Sequence, residues 1–224
     1  MKKLAIMIAV SSAALPACAN LITNGGFELN TVWAGGPNDV ADGWIALAGS
    51  PDVWDETGFD GLKTGTTGGG YMPHVTAYEG SNWASIGSDA ATSFQEAIGS
   101  ASMNLGPGLY TLSLAMIYDA HNPLNYVNPG AVDILLKQGA GGYVYQGTLA
   151  ANTGPDQWEV RSMQLNITAN DTYSIGLQAA LGAKTYLGVD DVNLVASPVP
   201  EPFTMGLAGL ALATAARRRR RSSQ

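Results

Sequence analysis

From residue 109 onward the chain repeats one pattern: short runs with apolar side chains at every second position, closed by clusters of Gly, Pro, Asn and Asp. A period of two sends alternate side chains to opposite faces of an extended backbone, so each run reads as a strand with one buried face. After the turn Gly106-Pro107-Gly108, the run from Leu109 to Tyr118 places Tyr110, Leu112, Leu114 and Met116 on one face. The run from Thr172 to Ala179 turns Tyr173, Ile175 and Leu177 inward in the same way. Further strands are expected over 21–23, 44–47, 83–86, 93–98, 131–137, 143–149, 158–167 and 187–196, and no helical period of useful length interrupts them. About ten short strands with turn signals between them predict an all-β chain folded as a two-sheet β-sandwich. Trp44, Trp83 and Trp158 fall at positions expected in its core. Two connections, 51–70 and 119–130, are long enough to suggest functional loops.

The ends are unlike the middle. Met1-Lys2-Lys3, an apolar run and the small-x-small site at Ala17 and Ala19 read as a secretory signal over 1–19, cut by signal peptidase between Ala19 and Asn20. An alternative processing reading uses Leu15-Pro16-Ala17-Cys18 as a lipoprotein box with Cys18 lipidated. Cys18 is the chain's one cysteine, so cleavage after Ala19 leaves the remainder without disulfide, thiolate nucleophile or Cys-based zinc site. At the other end stand Pro200-Glu201-Pro202, the uncharged stretch from Phe203 to Ala216, and Arg217, Arg218, Arg219, Arg220 and Arg221. An apolar stretch before an Arg cluster is a stop-transfer pattern that holds the arginines in the cytoplasm and the preceding domain across the membrane. Fourteen helical residues reach about 21 Å against a hydrocarbon core of about 30 Å, which suits a transient inner-membrane hold.

Between these ends lie four basic residues, Lys63, Lys137, Arg161 and Lys184, against seventeen acidic ones. The whole chain's formal charge of −7 therefore conceals a domain near −13. Such a surface excludes binding to nucleic acid through phosphate neutralisation and favours a neutral ligand or a divalent cation.

The C-terminal residues resemble the PEP-CTERM sorting signal of Gram-negative bacteria, with its Pro-Glu-Pro motif, short transmembrane helix and Arg cluster over 197–224. The resemblance implies processing at Pro200, Glu201 and Pro202 by an exosortase and delivery to the cell surface or an extracellular polysaccharide matrix. A second resemblance rests on Asn24-Gly25-Gly26-Phe27-Glu28, Asp42-Gly43-Trp44, Glu79-Gly80-Ser81, Gly106-Pro107-Gly108, Gln157-Trp158 and Gly188-Val189-Asp190-Asp191. In order and spacing, residues 20–196 are similar to galactose-binding-like jelly rolls of the carbohydrate-binding-module type.

By that resemblance, the Gly26 carbonyl and the Glu28 and Asp190 side chains would hold a structural Ca2+, with carbonyls from the loop around Glu79–Ser81. Strand parity puts Asp190 on the face of Val192 and Leu194, so its carboxylate is expected inside the sandwich, where it needs a cation or several donors. Backbone N–H donors without a metal are the alternative. Sugar binding asks for flat aromatic faces with polar groups nearby, and the expected candidates in or beside the long loops are Trp54, Tyr71, His74, Tyr118, His121 and Tyr126. His74 and His121 form no recognisable metal spacing. No nucleophile elbow, phosphate loop or zinc motif is present, so no catalytic residue is expected. The sequence reading is a secreted, sorted surface protein that binds extracellular polysaccharide non-catalytically. A structural matrix or adhesion protein without a sugar pocket, or a glycoside hydrolase using acid pairs such as Asp52 with Asp55 or Asp119 with Asp133, are the alternatives.

Overall fold

The computed structural model describes residues 19–29, 40–55, 72, 75–121, 125–150 and 153–197. Among them twelve strands follow in order: β1 (Trp44–Ala48), β2 (Asp52–Asp55), β3 (Asn82–Asp89), β4 (Phe94–Gln95), β5 (Ala97–Ser100), β6 (Met103–Leu105), β7 (Gly108–Tyr118), β8 (Val132–Gln138), β9 (Tyr143–Leu149), β10 (Glu159–Ile167), β11 (Asp171–Ala179) and β12 (Thr185–Ala196). They form two six-stranded antiparallel sheets. The first runs β1-β5-β11-β8-β9 with β6 also on β11, and the second runs β10-β7-β12-β3-β2 with β4 also on β3. Residues 1–18 of the expected signal segment, Pro200 to Pro202, Phe203 to Ala216 and Arg217 to Arg221 lie outside the described residues. Among the described residues no helix is long and apolar enough to cross a membrane.

The alternation read from sequence decides the core. Leu112, Leu114 and Met116 of β7 and Ile175 and Leu177 of β11 are fully buried, together with Val132 and Ile134 of β8 and Leu187, Val189, Val192 and Leu194 of β12. These side chains meet between the sheets, and burial of each contributes about 1.5 to 3 kcal/mol. A second cluster, Trp54, Met72, Val75, Trp83, Ile117 and Tyr186, covers the other face of the second sheet. Ile117 and Met116 are neighbours on one strand, so the two clusters occupy opposite faces.

Three segments depart from the sequence expectation. The run 93–98 is not one strand: β4 pairs with β3 in the second sheet, β5 pairs with β1 and β11 in the first, and the chain changes sheets at buried Glu96. Residues 52–55, expected in a long loop, form an edge strand on β3 that puts Trp54 opposite Trp83. Residues 21–23 form no strand, although they do extend a ladder. Leu21 N–H donates to the Leu194 carbonyl at 2.9 Å, and Val192 N–H donates to the Gly25 carbonyl at 2.9 Å. β3 pairs with β12 only from Thr185 to Val189, so the N-terminal segment takes up the backbone groups that β3 leaves beyond it.

Candidate functional site

Of the aromatic residues expected to contact sugar, Trp54 and Tyr118 are corrected by the fold. Trp54 is wholly buried, stacked on Trp83 at 6.2 Å between ring centroids, and its indole N–H donates to Ser85 Oγ at 2.6 Å. Both faces of its ring are spent on packing, because β2 carries it into the second cluster instead of a solvent loop. Tyr118, at the end of β7, is only 7% exposed and belongs to the core between the sheets. Tyr126 is half-buried, edge-on to Phe94 and Tyr186, with Lys184 Nζ 4.2 Å from its ring centroid. His121 is exposed, beside Asp119 and Asp156. Tyr71 and His74 lie outside the described residues. Trp158, expected in the core, is half-buried against the second cluster and donates its indole N–H to the Thr76 carbonyl at 2.8 Å.

An aromatic surface the sequence reading missed lies on the first sheet, on the face turned away from the core. Strand pairing sets Tyr143 opposite Lys137, Tyr145 opposite Leu135, and Thr148 opposite Asp133, which in turn faces Gln178 of β11. The floor is Gly176 opposite Gly99. A Cβ on Gly176 would sit 3.1 Å from the Tyr143 ring, and one on Gly99 would sit 2.5 Å from the Tyr143 hydroxyl. β9 and β5 are separated by two strands, about 14 Å in a flat sheet, which is beyond a tyrosine's reach. The β8–β9 hairpin therefore curls over this face, and the two glycines make room for the ring. Tyr145 remains 58% exposed. Its hydroxyl is 2.8 Å from Thr148 Oγ1, and Thr148 donates to Asp133 Oδ1 at 2.5 Å, so an exposed ring, a hydroxyl and a carboxylate stand in line. The sequence signal for this surface was the Tyr143-x-Tyr145 spacing, which places both on one face but does not say which face is buried.

A second constellation gathers Gly26, Glu28 and Asp190. The loop from Tyr78 to Asn82 wraps both carboxylates with backbone N–H groups. Asp190 Oδ2 accepts from Tyr78 and Glu79 at 2.9 and 3.1 Å, and Glu28 Oε1 accepts from Ser81 and Asn82, each at 2.8 Å. Gly80 holds a φ of +67°, and a Cβ there would lie 2.2 Å from Glu28 Oε1, so glycine is required twice over. Asp190 is buried as expected, but not on the expected face. A β-bulge at Asp191, with φ +46°, shifts the register between Asp190 and Asn193. Val189 and Val192 both enter the core, and Asp190, facing opposite Val189, turns away from it toward the loop. Burial drives its carboxyl up to about 7, assisted by the nearby charge of Glu28 and opposed by the N–H groups of Glu79, Asp191 and Tyr78. Next to Glu28, the Asn82 amide donates to the Phe27 carbonyl while its buried Oδ1 has no hydrogen-bond partner.

Of the acid pairs weighed for hydrolysis, Asp119 with Asp133 is divided between the two sheets. Asp119 follows β7 of the second sheet, and Asp133 faces outward from the first. Asp52 accepts the Tyr186 hydroxyl at 2.6 Å.

Strand order and curvature define a class: the chain has the jelly-roll fold of carbohydrate-binding modules. It superposes on the CBM22-1 xylan-binding domain from Paenibacillus barcinonensis with a TM-score of 0.51 and 16% identity, covering 84% of this chain and 100% of that one. Against the tandem CBM22-1–CBM22-2 domain of the same organism the TM-score is 0.51 and the identity 17%, covering 84% and 49% respectively. Residues 198–221 match the PEP-CTERM protein-sorting motif, so the sandwich is followed by a sorting signal. No curated protein matches the chain.

Proposed function

We propose that this is an exported, exosortase-sorted surface protein whose sandwich binds polysaccharide without cleaving it, through the outer face of the first sheet. The exposed Tyr145 ring beside the hydrogen-bonded Thr148 and Asp133 carries this reading. Pyranose C–H faces stack on aromatic rings, and sugar hydroxyls need nearby carboxylates and amides such as Asp133 and Gln178. The acidic domain suits a neutral glycan rather than a polyanion. Signal peptidase cutting before Asn20 is compatible with the fold. Asn20 Oδ1 accepts from Leu194 N–H at 2.9 Å while its amide donates to the Val192 carbonyl at 3.0 Å, so Asn20 itself is held by the sandwich.

Gly26, Glu28 and Asp190 are the residues that would hold a structural Ca2+. An all-oxygen donor set with two carboxylates suits a hard cation, and Asn82, whose backbone N–H donates to Glu28, carries a buried Oδ1 without a hydrogen-bond partner. When bound, the ion would supply positive charge that ties the loop at 78–82 to β12 and the N-terminal segment.

A glycan array on the full chain and on Tyr145→Ala tests the reading. Binding to a neutral glycan that falls about tenfold in the variant supports it, given about 1 to 1.5 kcal/mol for an aromatic contact. Undiminished binding by Tyr145→Ala removes this face, and silence on every glycan removes carbohydrate binding.

A further inference from the structure

At the end of β7 the backbone turns sharply and returns the side chains of Asp119 and His121 to one point. The loop before β10 brings Asp156 to the same point, held there by Asp156 N–H donating to the Tyr118 carbonyl at 2.9 Å. His121 Nδ1 lies 3.4 Å from Asp119 Oδ1 and 3.3 Å from Asp156 Oδ2, and one ligand atom from each residue lies within 4.8 Å of the others. We propose that Asp119, His121 and Asp156 form a binding site for a divalent transition metal of the zinc class, separate from the oxygen-only cluster at Glu28 and Asp190.

Tetrahedral zinc, with N and O ligands at about 2.0 to 2.1 Å, separates neighbouring ligand atoms by about 3.3 Å. The two His–Asp separations have that edge length. The imidazole nitrogen distinguishes this donor set from one suited to calcium, since imidazole favours zinc and its neighbours in the first transition row. Both carboxylates are already oriented: Asp119 Oδ1 accepts His121 N–H at 2.6 Å, and Asp156 Oδ1 accepts Ala120 N–H at 3.1 Å, leaving Asp156 Oδ2 toward the imidazole. Asp119 is 1% exposed and His121 59%, so the site has a fixed floor and an open entry for a metal and its remaining water ligand. Spacing along the chain gives no hint of this site, because Asp156 is distant in sequence and only the pairing of β7 with β10 brings its loop to Asp119. A metal here would staple that edge of the second sheet.

The test is calorimetric titration of Zn2+ into the untagged full chain in detergent, with Co2+ absorption in the visible as a second readout of tetrahedral ligation. The expected result is a single site whose affinity falls about tenfold or more in His121→Ala and in Asp156→Asn, with loss of the Co2+ bands. Asp171→Asn, at an exposed carboxylate on β11, retains it. Unchanged zinc affinity in His121→Ala overturns the proposal, as does an equal loss of binding in Asp171→Asn. Absence of zinc binding by the parent chain equally overturns it.

Discussion

Glu96 sits where the chain passes from one sheet to the other, 2% exposed, with Oε2 accepting Gly87 N–H at 2.7 Å and Oε1 accepting the Ser50 hydroxyl at 3.3 Å. Burial drives its carboxyl up to about 8, and the charge of Asp52 adds to this against the hydrogen bonds from Gly87 and Ser50. An acid whose folded pKa is raised stabilises the fold while protonated, and that contribution is lost as pH rises from about 4.5 to about 8, by at most about 1.4 kcal/mol for each pH step of one. Asp190 has the same sign over a window from about 4 to about 7. Denaturant unfolding with chelator present should therefore show stability declining from pH 5 to pH 8. Glu96→Gln should flatten the part of that decline above pH 7, while unchanged pH dependence in the variant would show that Glu96 titrates normally. Calcium should reverse the Asp190 part: melting at pH 7.5 is expected to rise with Ca2+ and fall with chelator, and indifference to both would remove the ion from Glu28 and Asp190.

Single elements here do more than their lengths suggest. The segment 20–25 is not a strand, yet it completes the β12 ladder through Leu21 and Gly25, and its removal would leave those β12 backbone groups exposed. Deleting residues 20–25 is expected to destabilise the domain by about 2 kcal/mol or more, read from the urea midpoint. The loop at 78–82 is equally constrained. Gly80→Ala forces a Cβ against Glu28 at a positive φ, so a loss of about 1 to 3 kcal/mol is expected, together with loss of any calcium-dependent shift in melting. The bulge at Asp191 is the least conspicuous of these devices: one extra residue re-aims Asp190 from the core to the loop.

On the scale of the whole molecule the two sheets have unlike outer faces. The second carries Trp54, Trp83, Ile117 and Tyr186 as a second apolar layer, whereas the first carries Tyr143, Tyr145, Asp133 and Lys137, several of them exposed. A domain near −13 that binds a neutral glycan should show little salt dependence. Affinity measured at low ionic strength and at about 0.5 M NaCl is expected to agree within about twofold, and a steep loss with salt would indicate a charged ligand.

Alternation along β7 and β11 is a local property, and the sequence determined it. The buried sets Tyr110 to Met116 and Tyr173 to Leu177 follow from a two-residue period that no distant contact alters. The terminal sorting motif was legible for the same reason, since its Pro-Glu-Pro, apolar and Arg elements are contiguous. Tertiary structure decided the rest, because each remaining question concerned which distant segment covers or meets a given face. Pairing of β2 with β3 made Trp54 a core residue, a bulge turned Asp190 around, and glycine-lined curvature laid Tyr143 across the first sheet. The meeting of Asp119, His121 and Asp156 likewise exists only where β7 and β10 lie side by side, as side chains converge by strand pairing rather than by spacing along the chain.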